Sequence, residues 1–186
     1  MEPLGPPVVG VRGNVICGGA YKVVYQPNWR AFEASGWPRR LMQRETVAFE
    51  LDVADVVSER NLAAVFENTP GYVTMKLLPV PGDPEKDLWD AGRILPQGTA
   101  VTFSAKPRRA LEPMRIILRV APAQPVEGKL WLNGKEVSTF RFDAHDGWLE
   151  PSFDLPSSAV DEHLQGRVEV TKGELVLYHL WGVQVR

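Results

Sequence analysis

Apolar and polar residues alternate with a period of two along most of the 186-residue chain. In 46–53, Val47, Phe49, Leu51 and Val53 fall on one face and Thr46, Ala48, Glu50 and Asp52 on the other, the pattern of a strand with one buried side. Segments 73–77, 101–104, 115–120, 129–132, 137–142, 168–170 and 175–185 repeat it, and 8–11 and 21–25 open the chain in the same style. The alternation predicts about ten to eleven short strands. Between them, Glu127-Gly128, Asn133-Gly134 and Lys172-Gly173 mark hairpin turns. Asn133-Gly134 is the strongest signal, because both residues tolerate the positive φ of a type I′ turn.

Two segments carry helical spacing instead. In 58–67, Ser58 stands as N-cap, Glu59 falls in the first turn, and Leu62, Val65 and Phe66 line one face before Asn68-Thr69-Pro70-Gly71 ends the run. In 158–165, Ser158 and Asp161 form a capping box that Gly166 closes shortly afterwards. The fold class that follows is mainly β: an antiparallel β-sandwich or partly closed barrel with one or two short helices.

Composition narrows this further. Sixteen glycines and sixteen prolines are scattered singly, which fits many turns and excludes a long-helix protein or a coiled coil. We read the chain as one β-rich domain over 1–186. Pro79-Val80-Pro81-Gly82-Asp83-Pro84 is where it would otherwise divide, into 1–78 and 85–186. With 21 Lys and Arg against 23 Asp and Glu, a net charge of −2 gives no electrostatic footprint for sequence-specific nucleic acid. The opening Met1-Glu2-Pro3-Leu4-Gly5-Pro6-Pro7 lacks the basic and apolar regions of a secretory signal. The apolar run 175–183 is interrupted by His179 and Gly182, well short of the roughly 20 residues of a membrane helix. The chain is therefore expected to stay in a reducing cytoplasm, without a membrane partner.

Catalytic chemistry finds little purchase. The single cysteine, Cys17, follows Val15-Ile16 and reads as a small hydrophobe at a strand end; alone it supports neither an internal disulfide nor a cysteine-built zinc cage. No Gly-x-Ser-x-Gly elbow, phosphate loop or dinucleotide fingerprint occurs. His145, His163 and His179 never fall at a metal-ligand spacing. His145, between Asp143 and Asp146, reads as a solvated turn, and His179 as a strand residue with a hydrogen-bond partner. Glu136, Asp143, Asp146 and Glu150 cannot be paired across a cleft by spacing alone. Asp83, Asp87 and Asp90 lack the order of a calcium loop. No catalytic, cofactor-binding or metal-binding residue is assigned, and a non-enzyme is expected.

Six tryptophans carry more information. Trp131 and Trp181 sit in strands and fit core or sheet-face packing, whereas Trp29, Trp37, Trp89 and Trp148 sit in or beside loops. Exposed aromatics serve subunit contacts or sugar stacking. In 27–43, Trp29, Phe32 and Trp37 lie among Arg30, Arg39 and Arg40 without strand alternation. Trp29, Phe32, Trp37, Arg39 and Arg40 are accordingly subunit-contact candidates.

Two resemblances bear on function. Gly18-Gly19-Ala20-Tyr21-Lys22-Val23-Val24-Tyr25-Gln26-Pro27, a loop, Glu45-Thr46-Val47-Ala48-Phe49-Glu50-Leu51 and then Asn61-Leu62-Ala63-Ala64-Val65-Phe66 resemble tail tube and related virion proteins of long-tailed bacteriophages. Arg141-Phe142-Asp143-Ala144-His145-Asp146 adds a looser likeness. This implies a structural subunit of the virion: a homo-oligomer in rings or stacked rings, or a connector at the tube's end, touching other virion proteins and needing no cofactor. The C-terminal half differs. Leu130-Trp131-Leu132-Asn133-Gly134-Lys135-Glu136-Val137, Gly147-Trp148-Leu149-Glu150-Pro151-Ser152-Phe153-Asp154-Leu155-Pro156 and 175–185 look like the end of a galactose-binding-like jelly roll. That implies carbohydrate as the partner. The tail tube protein is the leading expectation and the carbohydrate-binding jelly-roll module the alternative.

Overall fold

The period-two segments pair into two antiparallel sheets packed face to face. The computed structural model describes residues 13–15, 20–22, 45–69, 71–78 and 88–185. In chain order the strands are β1 (Gly13–Val15), β2 (Ala20–Lys22), β3 (Glu45–Asp52), β4 (Val65–Phe66), β5 (Tyr72–Leu78), β6 (Leu88–Pro96) and β7 (Ala100–Ala105). They continue as β8 (Met114–Ala121), β9 (Val126–Leu132), β10 (Lys135–Phe142), β11 (Ser152–Leu155), β12 (Leu164–Lys172) and β13 (Glu174–Val185). Among the described residues one α-helix, α1 (Val56–Asn61), lies between β3 and β4.

The first sheet has the order β10-β9-β12-β7-β4 and the second β11-β8-β13-β6-β5, while β1 and β2 form a separate ribbon. β13 organises the second sheet. Along one edge it pairs with β8; along the other it pairs first with β6, over Glu174–Leu177, and then with β3, over His179–Val185. The inner faces meet in one apolar core that includes Phe49, Leu51, Leu118, Leu130, Val168 and Leu177. The architecture is therefore the sandwich, not the barrel.

Three mid-strand glycines make this packing possible. Gly128 faces Phe140, Gly166 faces Phe103 and Gly182 faces Phe49, each as a direct cross-strand partner. Each phenyl ring lies over its glycine so closely that a Cβ would overlap it. Glu127-Gly128 is thus the interior of β9, not the expected turn. Asn133-Gly134 does form the two-residue turn from β9 to β10, with φ of 50° and 75°. Gly173 turns β12 into β13 at φ 78°.

The helical expectations need correction. α1 begins earlier than expected, capped by Asp55, whose carboxylate accepts from the N–H groups of Val57 and Ser58 at 3.0 and 2.8 Å. Ser58 lies inside the helix, and its hydroxyl accepts from the Asp52 N–H and donates to the Glu50 carbonyl. Val65 and Phe66 leave the helix and pair with β7 as β4. The second segment gives a single 3-10 turn over Ser157–Ala159, because Leu164 and Gln165 are taken by pairing with β7. Asp55→Ala should cost about 0.5–2 kcal/mol in urea unfolding, since it orphans two helix-start amides.

Candidate functional site

Two polar constellations stand out, one open to solvent and one buried. The open one covers the outer face of the first sheet. In β9, Val126, Gly128, Leu130 and Leu132 point inward, so Glu127, Lys129 and Trp131 point out. Register then assembles a row across five strands: Val65, Thr102, Arg167, Trp131 and Glu136. Beside it runs a second row, Glu169, Lys129 and Thr139, with the buried Ala100 at its β7 end.

Trp131 is half-buried at the centre of this face. Its indole N–H donates to Glu169 Oε2 at 3.0 Å, which fixes the ring. Lys129 Nζ lies 5.5 Å from the ring centroid and donates to Glu136 Oε2 at 2.7 Å. Arg167 donates to both carboxylate oxygens of Glu67, at 2.7 and 3.3 Å. The hydrogen bond to Glu136 holds the Lys129 ammonium above its ordinary range, and that to Glu67 does the same for Arg167. Such solvent-exposed pairs are individually weak and rearrange at little cost. A groove of about 320 Å³ lies beside Lys129, lined by Glu127, Gly128, Lys129, Thr139, Phe140, Arg141 and Thr171. The arrangement offers an aromatic surface ringed by donors and acceptors of both signs.

The buried constellation lies on the second sheet, on the side of β3, β8 and β13 opposite the apolar core. Cross-strand pairing sets His179 between Asp52 and Arg119, and Trp181 between Glu50 and Ile117. Arg119 and His179 are fully buried. Arg119 Nη1 donates to Asp90 Oδ2 at 3.1 Å and Nε donates to Glu150 Oε1 at 2.9 Å. Its guanidinium lies over the Trp148 ring, 4.2 Å from the centroid. His179 stacks on Trp181 at 4.7 Å, with Nδ1 3.2 Å from Asp90 Oδ2 and Nε2 3.1 Å from Asp52 Oδ1. Burial alone would push the imidazole down; the charges of Asp52 and Asp90 outweigh it and raise His179 to about 10. Burial, reinforced by Asp90, also pushes the neighbouring Tyr178 phenol up.

The residues singled out in the sequence are distributed unevenly. Trp29, Phe32, Trp37, Arg39, Arg40 and Cys17 lie outside the described residues. His145 and His163 are exposed, and the His145 N–H donates to the Pro122 carbonyl at 2.9 Å. Asp143 and Asp146 are exposed, Glu136 binds Lys129, and Glu150 binds Arg119. Asp52, Asp90 and Arg119 were not singled out as a site, and neither were Glu169 and Arg167 around Trp131. Among the described residues no helix is long and apolar enough to cross a membrane.

No protein-family model and no curated protein matches the chain. Solved structures do resemble it. One is BtGH115A, a family GH115 4-O-methyl-α-glucuronidase with specificity for decorated arabinogalactans (TM-score 0.49, 10% identity), where 76% of this chain spans 18% of that one. Another is the carbohydrate-binding module CBM6cm-2 from Cellvibrio mixtus lichenase 5A in complex with cellotriose (TM-score 0.47, 13% identity, 75% of this chain and 98% of that one). A third is the carbohydrate-binding module CBM36 in complex with calcium and xylotriose (TM-score 0.36, 15% identity, 64% of this chain and 98% of that one).

The tail tube expectation is corrected accordingly. Two of these three are carbohydrate-binding modules and one is a glycosidase, and none is a phage tail protein. One of the stretches that carried the phage likeness, Asn61-Leu62-Ala63-Ala64-Val65-Phe66, serves local ends: it closes α1, buries Leu62 in the sandwich core and forms β4. The expected ring of subunits in a virion goes with it.

Proposed function

We propose that this sandwich is a non-catalytic carbohydrate-binding module that takes a short oligosaccharide across the outer face of its first sheet. The observation that carries this is Trp131, fixed by Glu169 in the middle of a polar sheet face and flanked by Lys129, Glu136 and Arg167. A pyranose has an apolar C–H face and a rim of hydroxyls. The C–H face stacks on an indole, and the rim needs both donors and acceptors at the ring's edge. The face supplies both, and Lys129 also lines the groove between β9 and β10.

Cellotriose and xylotriose, the sugars named for two of the similar structures, are the first probes. In calorimetric titration with these and a panel of plant and bacterial glycans, at least one sugar is expected to bind. Trp131→Ala should weaken that affinity at least tenfold, with the circular dichroism spectrum unchanged. Equal affinity in the variant, or no binding to any glycan, contradicts the proposal.

A further inference from the structure

The buried constellation has a feature that hydrogen bonding leaves unexplained. Asp90 is well satisfied: Oδ1 accepts from the Ala91 N–H at 2.9 Å, and Oδ2 faces Arg119 and His179. Asp52 is not. It is 2% exposed, and neither carboxylate oxygen has a hydrogen-bond partner. His179 Nε2, 3.1 Å away, has none either, so the two atoms touch without the alignment of a donor and an acceptor. An N···O separation of that size is close to the edge of a coordination polyhedron, about 3.3 Å for ligands some 2.0 Å from a tetrahedral zinc ion.

The opposite side of the ring fits the same picture. Nδ1 faces Asp90, which Arg119 and the Ala91 amide hold in place, and Arg119 is itself anchored by Glu150. A carboxylate behind a histidine orients the ring and strengthens the other nitrogen as a ligand. Asp52, Asp90 and His179 each offer a ligand atom within 4.8 Å of the others. Charge agrees. Glu50, Asp52 and Asp90 lie within 3.8 Å of the imidazole nitrogens and Arg119 pairs with Asp90 and Glu150, so four carboxylates share one guanidinium and one imidazole, an excess of negative charge that a divalent ion offsets.

We propose that Asp52 and His179, with Asp90 behind the imidazole, form a buried divalent-cation site. The mixed nitrogen and carboxylate donors select zinc or a similar transition ion over calcium or magnesium, which prefer all-oxygen shells.

Elemental analysis of protein purified from zinc-supplemented cells tests this, beside melting curves recorded with and without chelator. About one zinc per chain is expected, and its removal should lower Tm by roughly 5–10 °C if zinc had been at a hundredfold excess over Kd. Asp52→Asn, nearly isosteric, and His179→Gln should each abolish stoichiometric zinc. Should neither variant fold, the ring 15N shifts of His179 in the zinc-loaded wild type decide: a metal-bound nitrogen supports the site, and an imidazolium pattern overturns it. Absence of stoichiometric zinc from the wild type, or its retention by folded variants, also overturns it.

Discussion

Arg119→Met is expected to destabilise the protein by about 3–5 kcal/mol, the usual cost of removing one partner from a buried ion pair. For a domain of this size, at about 2–4 °C per kcal/mol, Tm falls by roughly 6–20 °C. The side chain is fully buried and holds two carboxylates, Asp90 and Glu150, which its loss would strand in a low-dielectric site. It also fills the space beside Trp148 and Trp181, so the loss includes packing as well as charge. Methionine keeps most of the volume, so the measured change reports mainly on charge. Replacing Asp90 as well should recover part of the loss, because the uncompensated carboxylate then disappears. Urea unfolding of the single and double variants measures both. A single variant within 1 kcal/mol of the wild type would mean that Arg119 does not neutralise these groups.

Gly166→Ala is the second large effect, expected at about 1–3 kcal/mol through overpacking. Gly166 lies opposite Phe103, whose ring occupies the place a Cβ would take, and both residues belong to the packed interior. The methyl group must displace a core aromatic ring, and the close-packed interior gives that ring little room. The cause is steric rather than conformational. Phe103→Leu introduced with Gly166→Ala should therefore cost less than the sum of the two single changes. Strict additivity in unfolding free energy would show that ring and glycine do not collide.

Much of the sandwich was legible from the period-two pattern, and its failures share one physical origin. The apolar side of β3 follows directly from Val47, Phe49, Leu51 and Val53. Its polar side reads as solvent-facing, yet Asp52 is buried against His179. A charged residue enters an interior only beside a counter-charge, and here that is the His179 imidazole on β13, far along the chain. β6 escaped notice for the same reason: Asp90 and Arg93 interrupt an apolar run that Arg119 and Glu59 make tolerable. Gly128 reads as a turn until Phe140 is seen beside it. Trp131 was visible as a strand residue, but the polar neighbours that make its face a candidate site arrive from β10 and β12 by register alone. Asn133-Gly134 needed no such partner, because its turn is set by its own backbone preferences.

The most direct measurement is a two-dimensional 1H–15N NMR titration with whichever of the cellotriose, xylotriose and panel glycans binds. The indole N–H of Trp131 is one of six in the chain. It should move on binding, together with backbone amides of β9, β10 and β12 around Lys129, Thr139 and Arg167. The indole signals of Trp148 and Trp181, which stand in the buried constellation, should hold still. Saturation with a glycan that leaves Trp131 unmoved and shifts residues elsewhere would contradict the assignment of the outer sheet face as the binding surface.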